Sequence, residues 1–298
     1  MPCGAGTSLS PATVAAVNRC YLAIDVGSDK LAAAIVGEDA AVLVRDRIAT
    51  PQREVWPAVA RLAKRVLAAA PAVPVACGVG CAGPLDVSAG TVSPLHIPSL
   101  ENFPMATECA AAVGLPTAVD SLAKTIAMGE AWCGAGVEVA DFVAVWLGPT
   151  VGGGVVSNGK LLEGQHGNAG NLGHMVVEAD GRDCACGGKG CLDAYVGGRA
   201  IEEETGRPPN RAPQSIVERS GLYLARVLAS VGAVCDLRLA VVGGPVAHGF
   251  GAPLISAIQG EVDQRAKLSF IQGFRVVPSG LGEAGPLLGA AALARGLG

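Results

Sequence analysis

Twice along this chain an apolar run, a glycine-bearing turn and a second apolar run are followed by helical spacing, and that repeat restricts the fold to a layered α/β design. In the first copy Tyr21 to Ile24, Leu31 to Val36 and Ala40 to Ile48 read as strands, an antiparallel start to a mixed sheet. Val55 to Ala70 then has helical spacing, Val75 to Gly80 reads as a strand, Pro104 to Val113 as a helix and Pro116 to Val119 as a strand, and Ser121 to Cys133 as a helix leading out. The second copy opens with the strand Phe142 to Leu147 and the glycine-rich hairpin Val151 to Asn158. It continues with a long helix from Ala212 to Val231, a strand from Leu237 to Val242 and a glycine turn at Gly243 and Gly244. An alanine-rich closing helix, Ala284 to Gly298, is narrow enough for tight packing between lobes. The expected division is an extension over 1–20, an α/β lobe over 21–120 and a second α/β lobe over 121–298, with a cleft between the lobes and the last helix packing back toward the first.

At 298 residues, half of them hydrophobic, the chain can bury a sizeable core. No apolar run reaches the ~18 residues of a membrane span, and the alanine-rich stretches are broken by charge or proline. A net charge of -4 argues against nucleic acid as a partner, because phosphate binding draws on clustered Lys and Arg. The start, Met1-Pro2-Cys3-Gly4, has no basic segment leading into an apolar one, so a soluble cytoplasmic protein with reduced thiols is expected. Cys77, Cys81, Cys109, Cys133 and Cys235 lie in apolar contexts and read as small core residues.

Four further ligand-type side chains crowd into eighteen residues: His174, Cys184, Cys186 and Cys191. One imidazole and three thiolates make the donor set of a closed tetrahedral zinc site, and the intervening glycines let the backbone wrap one ion. Disulfides or inert buried thiols are the alternative, although Cys184 and Cys186 stand too close in sequence to pair easily.

Asp25-Val-Gly27-Ser28-Asp29-Lys30, Leu147-Gly148-Pro149-Thr150-Val151-Gly152-Gly153-Gly154, the loop from Gly173-His174 to Cys191-Leu192-Asp193, and Gly282 to Ala291 follow in an order and spacing that resemble the ROK family of sugar kinases and sugar-responsive repressors, from about residue 21 to the C-terminus. The resemblance implies an actin-like ATPase fold, with two ribonuclease-H-like lobes and ligands bound between them. In active relatives ATP phosphorylates a hydroxyl of a hexose or N-acetylhexosamine. Carried over residue by residue, it implies nucleotide contacts at Asp25, Gly27, Lys30, Gly153, Gly243 and Gly244, and ligand contacts at Asn171, His174 and Asp193, with His174 also holding the metal.

The chain departs from the family pattern wherever phosphoryl transfer needs a specific group. In the first phosphate loop Ser28 and Asp29 replace a glycine and a threonine, and the added carboxylate repels polyphosphate; the segment reads equally as a hairpin turn. In the second, Pro149 removes an N–H donor and Thr150 replaces a glycine, while Gly152 to Gly154 serve a hairpin as well as a phosphate. The family's Asn-Asp-x-Asn falls on Ser121, Leu122, Ala123 and Lys124, so its catalytic Asp is Leu122. Asp120, expected on the same face, reads either as a substitute base and ligand contact or as the cap of the following helix. The Glu of Glu-x-Gly-His is Asn171, the Glu after Cys-Leu is Asp193, and a segment near the bound sugar aligns with His96 to Leu100. The stretch from Asp193 to Gly243 is also short for the family.

Three readings follow. A pseudokinase would bind a sugar-like small molecule or a partner protein, hold structural zinc and have no intact ATP and magnesium site. A divergent kinase or repurposed enzyme would act on a sugar-like or cyclitol substrate. A repressor needs an N-terminal DNA-binding unit, for which only a short helix from Ser10 to Arg19 has room. A homo-oligomer is expected by analogy with relatives.

Overall fold

The computed structural model describes residues 19–297. The Ser10 to Arg19 helix falls, apart from Arg19, outside the described residues. The first sheet contains β1 (Cys20–Val26), β2 (Lys30–Gly37), β3 (Val42–Ala49), β4 (Ala76–Cys81) and β7 (Thr117–Ser121) in the order β3-β2-β1-β4-β7. β1 to β3 pair antiparallel, whereas β4 and β7 run parallel to β1. Between them lie α1 (Val55–Ala68), a small hairpin of β5 (Leu85–Asp86) and β6 (Thr91–Val92), and α2 (Met105–Val113). β1 is buried throughout, its apolar residues covered on both faces and Asp25 buried with them, while the edge strand β3 alternates.

The second sheet repeats this order. β8 (Phe142–Leu147), β9 (Val151–Ser157) and β10 (Lys160–Leu161) form the antiparallel half, joined by parallel β11 (Leu239–Gly243) and β12 (Arg275–Pro278) in the order β10-β9-β8-β11-β12. Its helices are α4 (Asp193–Val196), α5 (Gly198–Thr205), α6 (Gln214–Cys235), α7 (Pro245–Phe250) and α8 (Ala252–Arg265). Two more, α3 (Leu122–Cys133) and α9 (Gly285–Arg295), lie between the sheets.

The core has four parts. Leu22, Ile24 and Val79 pack outward onto Val59 and Leu62 of α1 and Met105 of α2. On the other face Tyr21, Ala23 and Ala34 meet Leu288, Ala290 and Ala294 of α9. Ala127 of α3 packs on Phe142, Ala144 and Val156 of the second sheet, whose far face carries α6 and α8 through Leu224, Leu228, Leu254 and Ile258. The alanine-rich helix packs so closely that a Cβ at Gly78 would stand 1.9 Å from the Ala290 carbonyl oxygen, and one at Gly289 2.5 Å from that of Thr125.

Several boundaries differ from expectation for local reasons. Ala40 sits in a turn at φ 63°, so the third strand starts at Val42. α6 begins after Pro213 and runs on to Cys235, ending where Asp236 turns left-handed at φ 52°. The closing helix begins at Gly285 behind a 3-10 turn over Gly282–Ala284. Among the described residues no helix is long and apolar enough to cross a membrane.

Candidate ligand cleft and metal cluster

Because the two sheets share one plan, their first hairpin turns are equivalent, and both line the same cleft of about 330 Å³: Gly27 to Lys30 from the β1–β2 turn and Gly148 to Thr150 from the β8–β9 turn. Its walls are largely apolar, with Leu95, Leu122, Trp146, Pro149, Pro245 and Pro286; Asp25, Asn168, Asn171, His174 and Asp193 bring polar atoms. At the rim Arg199 of α5 donates a 2.7 Å hydrogen bond to Asp29 Oδ1. His96 lies between this cleft and a second cavity lined by Arg182, Arg199 and Glu203; burial lowers its pKa, and the Arg199 charge lowers it further.

Strand register sets the floor. Asp25, Gly80 and Asp120 stand side by side on β1, β4 and β7, so both carboxyls point to the same face with a glycine between them. Leu122 covers that glycine, since a Cβ at Gly80 would lie 3.2 Å from Leu122 Cδ1. Asp25 is fully buried with Oδ1 unpartnered, and burial raises its pKa to about 7 against the opposing pull of Lys30.

Asp120 corrects the expectation. It does not line the cleft, and the cap of α3 is Ser121, whose Oγ accepts from the Lys124 N–H. Strand alternation stops at Ser121, so Leu122 begins a helix and turns into the cleft while Asp120 stays beneath. There Asp120 Oδ1 accepts from the Ser121 N–H at 2.6 Å, and Oδ2 meets Lys124 Nζ at 3.0 Å. Lys124 is buried and also donates to Glu163 Oε2 at 2.6 Å and the Gly167 carbonyl at 2.9 Å. Burial still holds the Asp120 pKa above its ordinary value, with Lys124 working against it.

The turns are largely committed to the fold. The Gly27 N–H donates to the Lys30 carbonyl at 3.1 Å and the Gly148 N–H to that of Thr150 at 3.1 Å; Pro149 has no N–H. The Gly148 and Pro149 carbonyls accept from the Gly198 and Arg199 N–H groups, tying α5 to the loop. Gly153 lines the cleft but is packed by Leu172. Gly243 and Gly244, expected at a nucleotide, do not line it: the Trp146 indole lies on Gly243 and Gly285, where added Cβ atoms would come within 3.1 and 3.0 Å of it. Gly244, at φ 104°, passes the end of β8 so closely that a Cβ would stand 2.4 Å from the Leu147 carbonyl oxygen.

The ligand atoms of His174, Cys184, Cys186 and Cys191 all lie within 4.8 Å of one another. His174 Nδ1 is 3.7 Å from Cys184 Sγ, and Cys186 Sγ is 3.8 Å from Cys191 Sγ. A tetrahedron with metal–sulfur bonds of about 2.3 Å has edges close to these, so the donor set fits one zinc-sized ion. Gly190, at φ 70°, makes the loop possible, because a Cβ there would stand 1.7 Å from the Glu178 carbonyl oxygen. Burial pushes the Cys191 thiol up to about 12, while the Gly188 N–H pulls the exposed Cys186 down. Directly after the loop, Asp193 Oδ1 accepts from the Val151 N–H at 2.6 Å, joining cluster to cleft; burial raises its pKa.

A model described as the ROK family matches residues 21–296. The chain belongs to the ROK family. It is 32% identical over 242 residues to the N-acetylmannosamine kinase of Escherichia fergusonii, covering 76% of this chain and 82% of that one. The ROK family glucokinase of Streptomyces griseus, solved with glucose and AMPPNP, superimposes with a TM-score of 0.82 at 26% identity, over 93% of this chain and 99% of that one. The ROK hexokinase of Thermus thermophilus gives 0.76 at 28% identity, over 93% and 98%. The actin-like ATPase fold follows, and the chain is sugar-kinase-like.

Within this ROK fold, sequence reasoning missed several contacts. Asn168 pairs with both the N–H and the carbonyl of Leu85, at 3.1 and 2.6 Å, binding the loop before the metal cluster to the first lobe. The Lys124–Glu163 and Arg199–Asp29 pairs link distant segments and leave no local pattern. Trp146 carried a faint signal, as a bulky aromatic directly before a glycine-bearing turn.

Proposed function

We propose that this ROK-fold protein binds a sugar-like small molecule between its lobes and has lost ATP-dependent phosphoryl transfer. The observation that carries this reading is the pair Leu122 and Asp120. An isobutyl group takes the place of the family's base, and Asp120, the expected substitute, is engaged by a buried ammonium. A base of this kind contributes roughly 10²–10⁴ in rate. The committed N–H groups of Gly27 and Gly148 and the Trp146 indole over Gly243 and Gly285 support the loss of the nucleotide site. The His174, Cys184, Cys186 and Cys191 cluster is assigned structural zinc. A cytoplasmic location, where thiols stay reduced, belongs to the same reading.

One observation favours a second reading, a repurposed enzyme. Asp25, raised to about 7 at the floor of the cleft, has the acidity of a general acid or base at neutral pH. Calorimetry with Mg-ATP, followed by assay of sugar phosphate with N-acetylmannosamine and glucose, tests the loss of transfer. The expected result is no ATP binding in the micromolar range and no product. Tight ATP binding with turnover of either sugar would overturn the proposal.

A further inference from the structure

We infer that the cleft is shaped for an organic ammonium ion: a small hydroxylated amine, such as an amino sugar or aminocyclitol, whose nitrogen is not acylated. This rests on the small-molecule reading above and adds the charge of the ligand. Two independent observations carry it. The first is Asp25, a fully buried carboxyl on the cleft floor whose Oδ1 has no hydrogen-bond partner. Its neighbours do not supply one. Asp120 is engaged by Lys124 and Asp29 by Arg199, while Lys30 is exposed and acts on Asp25 only through its field. A buried acceptor left in this state costs free energy that a charged donor would restore.

The second observation is the wall around it. Leu122, Trp146, Pro149, Pro245 and Pro286 present carbon surface and one indole. A divalent cation wants about six oxygens and dehydrates reluctantly, which these walls do not serve. A phosphate meets the carboxyls of Asp25 and Asp193, with Asp29 already held by Arg199 and Lys30 the one lysine on the lining, together with a turn whose Gly148 N–H is spent and whose Pro149 has none. An amine on a carbon ring suits both features, its nitrogen toward Asp25 and its ring against Leu122 and the indole, which attracts cations. Asn171 remains on the lining for hydroxyl groups, whereas Asn168 is already paired with Leu85 at both ends of its amide.

The test uses the full chain with Trp56 and Trp132 replaced by Phe, so that Trp146 is the only tryptophan left. Its fluorescence is titrated with glucosamine and mannosamine, with glucose and the two N-acetyl sugars, and with magnesium chloride alone. The free amines should bind roughly tenfold or more tightly than their acetylated forms. Asp25→Asn should abolish that preference while melting no lower than the parent at pH 8. Equal or tighter binding of the neutral sugars overturns the ammonium assignment and leaves the small-molecule reading standing. No response to any amine, or an Asp25-dependent response to magnesium alone, also overturns it. Phosphorylation of a sugar from ATP would instead count against the loss of transfer.

Discussion

Lys124 Nζ, in the first turn of α3, lies 3.0 Å from Asp120 Oδ2 near the end of β7, with both side chains almost wholly shielded from water. Removing one partner strands the other. Lys124→Met should destabilise the protein by about 3–5 kcal/mol, because Asp120 then stays buried without a counter-charge. Asp120→Leu combined with Lys124→Met should recover much of that loss. Urea unfolding of the two single variants and the double variant gives the comparison, and equal destabilisation by single and double variants would deny the coupling.

Asp25 sets a pH dependence of definite sign. Its carboxyl titrates near 7 when folded against an ordinary value of 3.8, so the folded protein holds the extra proton between these limits. The stability tied to that proton is complete below about pH 4 and is lost as pH rises through about 7, amounting to a few kcal/mol at most. Asp25→Asn should flatten this decline and raise Tm at pH 8 relative to the parent. Melting curves from pH 4 to 8 that run parallel for both proteins would contradict it.

Removing an ion from the His174, Cys184, Cys186 and Cys191 cluster should be felt in the fold. Cys184→Ser, or treatment with a strong chelator, should lower Tm by several degrees, because ligand binding to the ion is coupled to ordering of the loop. An unchanged Tm in protein shown by elemental analysis to be metal-free would contradict a structural ion.

Restoring one carboxylate should not restore the reaction. Leu122→Asp should give no sugar phosphate from ATP, since Pro149 and the Gly27 and Gly148 hydrogen bonds are unchanged. It should also lower stability at pH 8, by setting a second carboxyl over Gly80 beside Asp25. Appearance of product would show the turns to be competent.

The parts of this molecule legible in its sequence are those that repeat or cluster locally. The hairpin around Gly27 and the His174 to Cys191 spacing each lie within a short window, whereas Val151 to Asn158, expected as a hairpin, is the single strand β9 as far as Ser157, with the turn before it at Gly148 to Thr150. α8 went unread because it buries only the stripe Leu254, Ile258 and Val262, and β12 because it is four residues long and ends in Pro278. Arg199 and Asp29 are 170 positions apart, and no periodicity links them. Asp120 misled for a subtler reason: alternation places it beside Leu122 only while the chain stays extended, and Ser121 ends that extension by capping α3.

The crossing of α9 with β4 and α3 leaves no room for even one added methyl group at Gly78 or Gly289. The cleft, by contrast, accommodates a leucine at the family's aspartate position, a proline in a turn and an aspartate in place of a threonine. Tolerance to change is thus low at a contact that lines no cleft. Alanine at either of those two glycines would drive a methyl group into the backbone of the helix across from it, and the packing of the two sheets about α9 would have to give way.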